Sequence, residues 1–195
     1  TYPLYRENGI LPKLSDIPQE TAKAAKYMLV SYPLNPVCAT ANDAFYEELI
    51  AFARKYNDII LHDNAYSDII YGGRKGKSFL SYEGAKEVGV EFYSLSKSYN
   101  LTGARISFVI GNQKIVDKFR AVRTQFDYGV FLPIQYGAAA ALNGPQDARS
   151  TKEEIRRSAA DCAVSAGTYR TAKGRCLYGH RFQKDMEHPK SSAWS

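Results

Sequence analysis

The stretch Asp58-Ile59-Ile60-Leu61-His62-Asp63-Asn64 decides the reading of the fold. Residues 58–62 form a short β-branched and aliphatic run, the mark of a buried strand, and the polar pair Asp63-Asn64 follows it. Upstream, residues 42–56 repeat apolar side chains at steps of three and four (Phe45, Leu49, Phe52, Ala53), the pattern of an amphipathic helix that Asn42 or Thr40 can cap. Before that, residues 27–32 make a short apolar run ended by Pro33, a second buried strand. Nearer the start, Asn8-Gly9 is a turn dipeptide and Ser15-Asp16-Ile17-Pro18 prepares a helix start. Downstream, residues 90–95 and 105–110 read as two more strands. Residues 114–126 read as a helix with Ile115, Phe119 and Val122 on one side, and residues 131–142 as a further helix ended by Asn143-Gly144-Pro145. Strands alternating with helices predict an α/β layer fold with a mostly parallel sheet.

Composition agrees with a folded chain. Of 195 residues, 45% are apolar and 24% charged, which excludes a disordered or collagen-like polymer. The most apolar region, residues 129–142, is broken by Pro133 and Gln135, so no membrane span is expected. The first residues lack a signal-peptide layout, and the expected location is cytoplasmic. Cys38, Cys162 and Cys176 are an odd set without metal-ligand spacing, which fits reduced thiols and no metal. The net charge of +6 is unevenly placed: residues 1–150 carry 17 lysines and arginines against 15 acids, and residues 151–195 carry 9 against 5. The body is close to neutral, so it lacks the basic stripe of a nucleic-acid binder.

In open α/β sheets ligands bind beyond the carboxyl ends of the strands. Asn35-Pro36 follows the first strand, Asp63 and Tyr66 follow the second, Ser94-Leu95-Ser96-Lys97 closes the third, and Arg105 begins the fourth. Taken singly these are ordinary residues: a cap, a core aromatic, solvated charges, strand-end hydroxyls. As an ordered set they suit one ligand. A guanidinium with two hydroxyls matches a phosphate, a lysine beside them can condense with an aldehyde, a carboxylate pairs with a protonated ring nitrogen, and a phenol bonds a ring oxygen. Pyridoxal 5′-phosphate presents all of these features.

Three longer motifs carry a resemblance: Ser31-Tyr32-Pro33-Leu34-Asn35-Pro36, Leu61-His62-Asp63-Asn64-Ala65-Tyr66-Ser67, and Ser94-Leu95-Ser96-Lys97-Ser98-Tyr99-Asn100-Leu101-Thr102-Gly103-Ala104-Arg105. With them the chain resembles the class I/II aminotransferases of fold type I, in the branch of the LL-diaminopimelate aminotransferases, over about residues 1–150. The resemblance implies a fragment of the large domain of a pyridoxal-phosphate enzyme, with a mostly parallel sheet and helices on both faces. It implies that Lys97 carries the cofactor and moves a proton, that Asp63 pairs with the pyridine nitrogen, and that Tyr66 donates to the phenolic oxygen. Asn35 would contact the same oxygen, and Ser94, Ser96 and Arg105 would bind the phosphate. His62 adjoins these residues, and a packing role is expected for it.

Two departures stand out. The family usually follows Asn-Pro with Thr-Gly, where this chain has Val37-Cys38, and Ala104 replaces a bulkier residue before the arginine. The resemblance also implies parts with no match here: an upstream phosphate cradle, an aromatic that stacks on the pyridine ring, and a late arginine in a small C-terminal domain. The expected organisation is therefore a partial cofactor-binding domain over 1–150 and an aberrant, poorly ordered tail over 151–195. Residues 156–195 do not resemble the family in the frame as written. Synonymous codons for residues 156–184, read one frame away, permit a stretch ending Met-Phe-Val-Trp-Ala-Pro-Ile-Pro-Lys, which does; a frameshift near Glu154 to Arg156 is expected.

The function that the resemblance implies is transfer of an amino group from an amino acid to a 2-oxo acid, with LL-diaminopimelate, in lysine biosynthesis, as one candidate substrate. No nucleic-acid or membrane partner is expected, and the full-length protein is expected to be a homodimer, with residues 128–133 near the subunit boundary. The 195 residues alone are expected to be inactive or nearly so. The alternatives are a non-catalytic module that senses the cofactor and a decayed gene fragment.

Overall fold

Four strands lie side by side in chain order: β1 (Tyr27–Ser31), β2 (Ile59–Asp63), β3 (Gly89–Ser94) and β4 (Ser107–Gly111). They belong to a computed structural model that describes residues 1–70 and 76–146 of the chain. The first three strands run parallel and β4 runs antiparallel to β3. Among the described residues six α-helices accompany the sheet: α1 (Gln19–Ala24), α2 (Asp43–Tyr56), α3 (Ala85–Val88), α4 (Leu95–Ser98), α5 (Gln113–Phe126) and α6 (Leu132–Asn143). The sheet is mostly parallel, as expected, and the expected tail lies outside the described residues.

Register places the residues that matter. Val30, His62, Glu91 and Ile110 form one row across the sheet, and Ser31, Asp63, Phe92 and Val109 the next. Successive residues of a strand face opposite sides, so these two rows look to different faces.

On the first face sits the core. Helix α2 starts where the Asn42 side chain accepts from the Phe45 amide at 2.9 Å and ends at Asn57 in the left-handed conformation. It buries Phe45, Tyr46, Leu49, Ile50 and Ala53 against Met28, Val30, Ile60 and Phe79. A fully buried side chain such as Leu49 contributes about 1.5–3 kcal/mol by leaving water. On the second face the Phe119 ring of α5 meets Phe92 of β3 edge-on at 6.5 Å. Helices thus cover both faces. The stripe expected on α5 is present but stays largely open, with Phe119 and Val122 exposed. A smaller cluster gathers Leu95, Ile106 and Ala138 of α6. Among the described residues no helix is long and apolar enough to cross a membrane.

The strand limits differ from expectation by one or two residues, and two of these shifts bear on the site edge. Leu95 was expected to end β3 but begins α4, because the Ser94 hydroxyl accepts from the Ser96 amide at 3.1 Å and caps a helix there. Arg105 was expected to begin β4, which instead starts at Ser107; Arg105 occupies the turn before it, in the left-handed conformation at φ 52° and ψ 48°.

Candidate active site

The carboxyl ends of β1, β2 and β3 form one edge of the sheet, and the start of β4 returns to it because that strand is antiparallel. Every residue expected in the site lies at this edge or in the segments that leave it.

Asn35 stands in the turn after β1. The turn is closed by Leu34 N to Ala39 O at 2.9 Å and Cys38 N to Leu34 O at 2.5 Å, with Cys38 at positive φ, so Val37-Cys38 complete it where the family has Thr-Gly. The Asn35 amide donates to the Tyr66 hydroxyl oxygen at 2.9 Å. Tyr66 lies three residues past Asp63, the last residue of β2, in a segment turned by Ile69 N bonding Tyr66 O at 3.0 Å. Lys97 Nζ sits over the Tyr66 ring, 5.8 Å from its centre, within cation–π range. The structure therefore brings Asn35, Tyr66 and Lys97 together from three separate segments.

A second chain of contacts joins the phosphate candidates. Ser94 holds the Ser96 amide, Thr102 Oγ1 donates to the Ser96 carbonyl at 2.9 Å, and Arg105 Nη1 donates to the Thr102 carbonyl at 3.0 Å. Lys97 follows Ser96 directly in α4, which connects the two groups. Asp63 is placed by register, between Ser31 and Phe92 on the face opposite His62. Asp63, Tyr66, Ser94, Ser96 and Lys97 are half-buried, while Asn35 and Arg105 are exposed.

His62 has the packing role expected of it. It is fully buried, with Nε2 3.1 Å from the Tyr46 hydroxyl and Nδ1 3.2 Å from Glu91 Oε2. Glu91 also accepts from the Ser78 hydroxyl at 3.0 Å and the Phe79 amide at 2.7 Å. Burial alone would raise the Glu91 carboxyl; hydrogen bonds from His62, Asn64 and the Phe79 amide outweigh it and hold the group below the ordinary carboxylate range.

Three residues outside the expected set also meet here. Asp68 Oδ2 accepts from the Tyr93 and Ser98 hydroxyls. No spacing in the sequence distinguishes Tyr93 among 15 tyrosines.

An amine held beside an aromatic ring, a carboxylate at the neighbouring strand end, and two hydroxyls and a guanidinium on the adjoining turn form a donor set that fits pyridoxal 5′-phosphate. Among the described residues no cluster of three or more histidine, cysteine or acidic side chains could hold a metal ion.

The family model described as aminotransferase class I and II matches residues 1–163. The chain belongs to this family. Class I and II aminotransferases are pyridoxal-phosphate enzymes. A curated LL-diaminopimelate aminotransferase of Desulforudis audaxviator is 45% identical over 162 residues, covering 83% of this chain and 41% of that protein. LL-diaminopimelate aminotransferase 2 of Trichormus variabilis is 48% identical over 143 residues, covering 73% of this chain and 37% of that protein. Among solved structures, apo-BacF from Bacillus subtilis superposes with a TM-score of 0.79 at 37% identity, over 91% of this chain and 46% of that one. A probable N-succinyldiaminopimelate aminotransferase from Thermus thermophilus superposes at 0.75 and 33% identity, over 82% and 43%. The chain thus spans about two fifths of the curated aminotransferases it matches. The aminotransferase fold type I large domain is the fold described above.

Proposed function

We propose that this chain is the cofactor-binding part of a pyridoxal-phosphate-dependent aminotransferase that moves an amino group from an amino acid to a 2-oxo acid. The observation that carries the reading is the meeting of Asn35, Tyr66 and Lys97, from three segments, at the edge where Asp63 ends β2.

When bound, the cofactor supplies an aldehyde for the amino group and a pyridinium ring that accepts electrons. Lys97 Nζ is the covalent anchor and, once released, moves the proton at the substrate α-carbon. Asp63 keeps the ring nitrogen protonated with its carboxylate. The Asn35 amide donates to the Tyr66 hydroxyl oxygen, and the Tyr66 phenol bonds the ring oxygen. Ser94, Ser96 and Arg105 hold the phosphate.

The relatives named LL-diaminopimelate aminotransferase support LL-diaminopimelate as the amino donor, and hence a place in lysine biosynthesis. A cytoplasmic homodimer completes the reading; the exposed Tyr128, Phe131 and Leu132 offer an apolar surface for the second subunit. For residues 151–195 the reading is a shifted frame. Resequencing the locus tests it, with one inserted or deleted base near the codons of Glu154 to Arg156 expected and an intact frame contradicting it.

The test of function is spectroscopic. Pyridoxal phosphate is added to the full-length protein with its frame restored, then LL-diaminopimelate, then a 2-oxo acid. Loss of the visible band with the first and its return with the second is the expected result. A band that no amino acid discharges contradicts transamination.

A further inference from the structure

Asp68, Tyr93 and Ser98 come from three segments: the loop after β2, the strand β3, and the end of α4. Asp68 Oδ2 accepts the Tyr93 hydroxyl proton and, at 2.6 Å, the Ser98 hydroxyl proton. The two hydroxyl oxygens lie 3.0 Å apart, drawn together by the shared carboxylate. All three residues are half-buried. Burial, then the bond to Asp68, pushes the Tyr93 phenol above its ordinary range, so it remains a donor.

The position of this cluster is what gives it meaning. Tyr66 is two residues before Asp68, and Lys97 is one residue before Ser98. The link from Ser98 to Asp68 therefore closes a small ring: Tyr66, Ser67, Asp68, across the hydrogen bond to Ser98, then Lys97 and back to the Tyr66 ring at 5.8 Å. With neighbouring Cα atoms about 3.8 Å apart, so short a path leaves little freedom between the amine and the phenol. Tyr93 fixes the same carboxylate to β3, the strand from which α4 springs. The cluster thus references the loop of Tyr66 and the turn of Lys97 to one point on the sheet.

We propose that Asp68, with Tyr93 and Ser98, is a positioning clasp that sets Lys97 against Tyr66 and so presents the lysine amine to the cofactor aldehyde. The proposal rests on the reading of Lys97 as the covalent anchor. The three residues touch neither substrate nor cofactor in this account; they act through Lys97.

The test follows the covalent mark that pyridoxal phosphate leaves on Lys97 after borohydride reduction, read by peptide mass spectrometry on the full 195-residue chain, in parallel with thermal unfolding. Ser98→Ala and Asp68→Ala are each expected to slow labelling of Lys97 about fivefold or more. Ser98→Thr, which keeps the hydroxyl, restores the rate, and the double variant is no slower than Asp68→Ala alone. Ser98→Ala removes one hydroxyl and is expected to leave the unfolding temperature unchanged, so it decides the matter if Asp68→Ala does not fold. Unchanged labelling in Ser98→Ala, or losses that simply multiply in the double variant, overturn the clasp. No label on Lys97 in the unaltered chain overturns the anchor reading itself, and the clasp falls with it.

Discussion

Ser94 and Ser107 are register partners across the antiparallel pair of β3 and β4. The chain therefore leaves the sheet at Ser94, passes through Lys97, and comes back to the same edge just after Arg105. Had β4 been parallel, its start would lie at the far end of the sheet from Lys97. The antiparallel return is what brings Lys97 and Arg105, the proposed covalent anchor and phosphate ligand, to one edge from one short stretch of sequence.

Arg105 is held in the left-handed region at φ 52°, which costs a residue with a Cβ about 1–2 kcal/mol. Glycine bears no such cost. Arg105→Gly is therefore expected to unfold at a higher temperature than Arg105→Ala, while both weaken binding of pyridoxal phosphate about 10- to 100-fold through loss of charge-assisted hydrogen bonds. Binding titrations check this, and pyridoxal without its phosphate supplies the control: its affinity is expected to be the same in all three proteins.

The Asn35 amide and Tyr66 hydroxyl act as a pair. If Tyr66 donates to the cofactor's phenolic oxygen as proposed, Tyr66→Phe removes that donor and so disfavours the deprotonated form. The pH midpoint of the visible band of the bound cofactor is expected to rise in Tyr66→Phe, and to rise less in Asn35→Ala, which leaves the phenol but no longer orients it. Absorbance titration across pH measures both; a midpoint that falls in Tyr66→Phe contradicts the assignment.

Glu91 ties acid stability to the core. Its folded pKa lies below the unfolded value, near 4.3, so its contribution is complete above that pH and is lost as pH falls through the lower folded value. Glu91→Gln is expected to lower stability at neutral pH by about 1–3 kcal/mol, since it loses the charged acceptor of His62, Asn64 and the Phe79 amide. The same change is expected to flatten the decline of stability below pH 4 to 5. Thermal unfolding across pH measures the two effects together.

Much of this was legible in the residues. The steps of three and four in α2, the short β-branched runs and the polar residues at their ends gave the layers and the sheet edge, because burial writes those periods directly into sequence. The order Asn35, Asp63, Tyr66, Lys97, Arg105 was legible because each follows or borders a strand. The direction of β4 was not, since a strand reads the same in either orientation, and it is this direction that brings Arg105 to the site edge; Arg105 itself precedes the strand, in the left-handed conformation. Leu95 reads as part of β3 because an apolar residue after a strand carries no sign of the cap that Ser94 makes. The cluster of Asp68, Tyr93 and Ser98 was hidden because its members meet only through the pairing of β2 with β3, and nothing in the sequence says that the residues beside Tyr66 and Lys97 touch.

Lys97 is proposed as the amine at which pyridoxal phosphate is held. The most direct measurement is to incubate the chain with the cofactor, reduce with borohydride, and locate the added mass by peptide sequencing. One dominant phosphopyridoxyl mark is expected, on Lys97, abolished in Lys97→Ala. A mark spread over surface lysines, or one that survives that substitution at full strength, would contradict it.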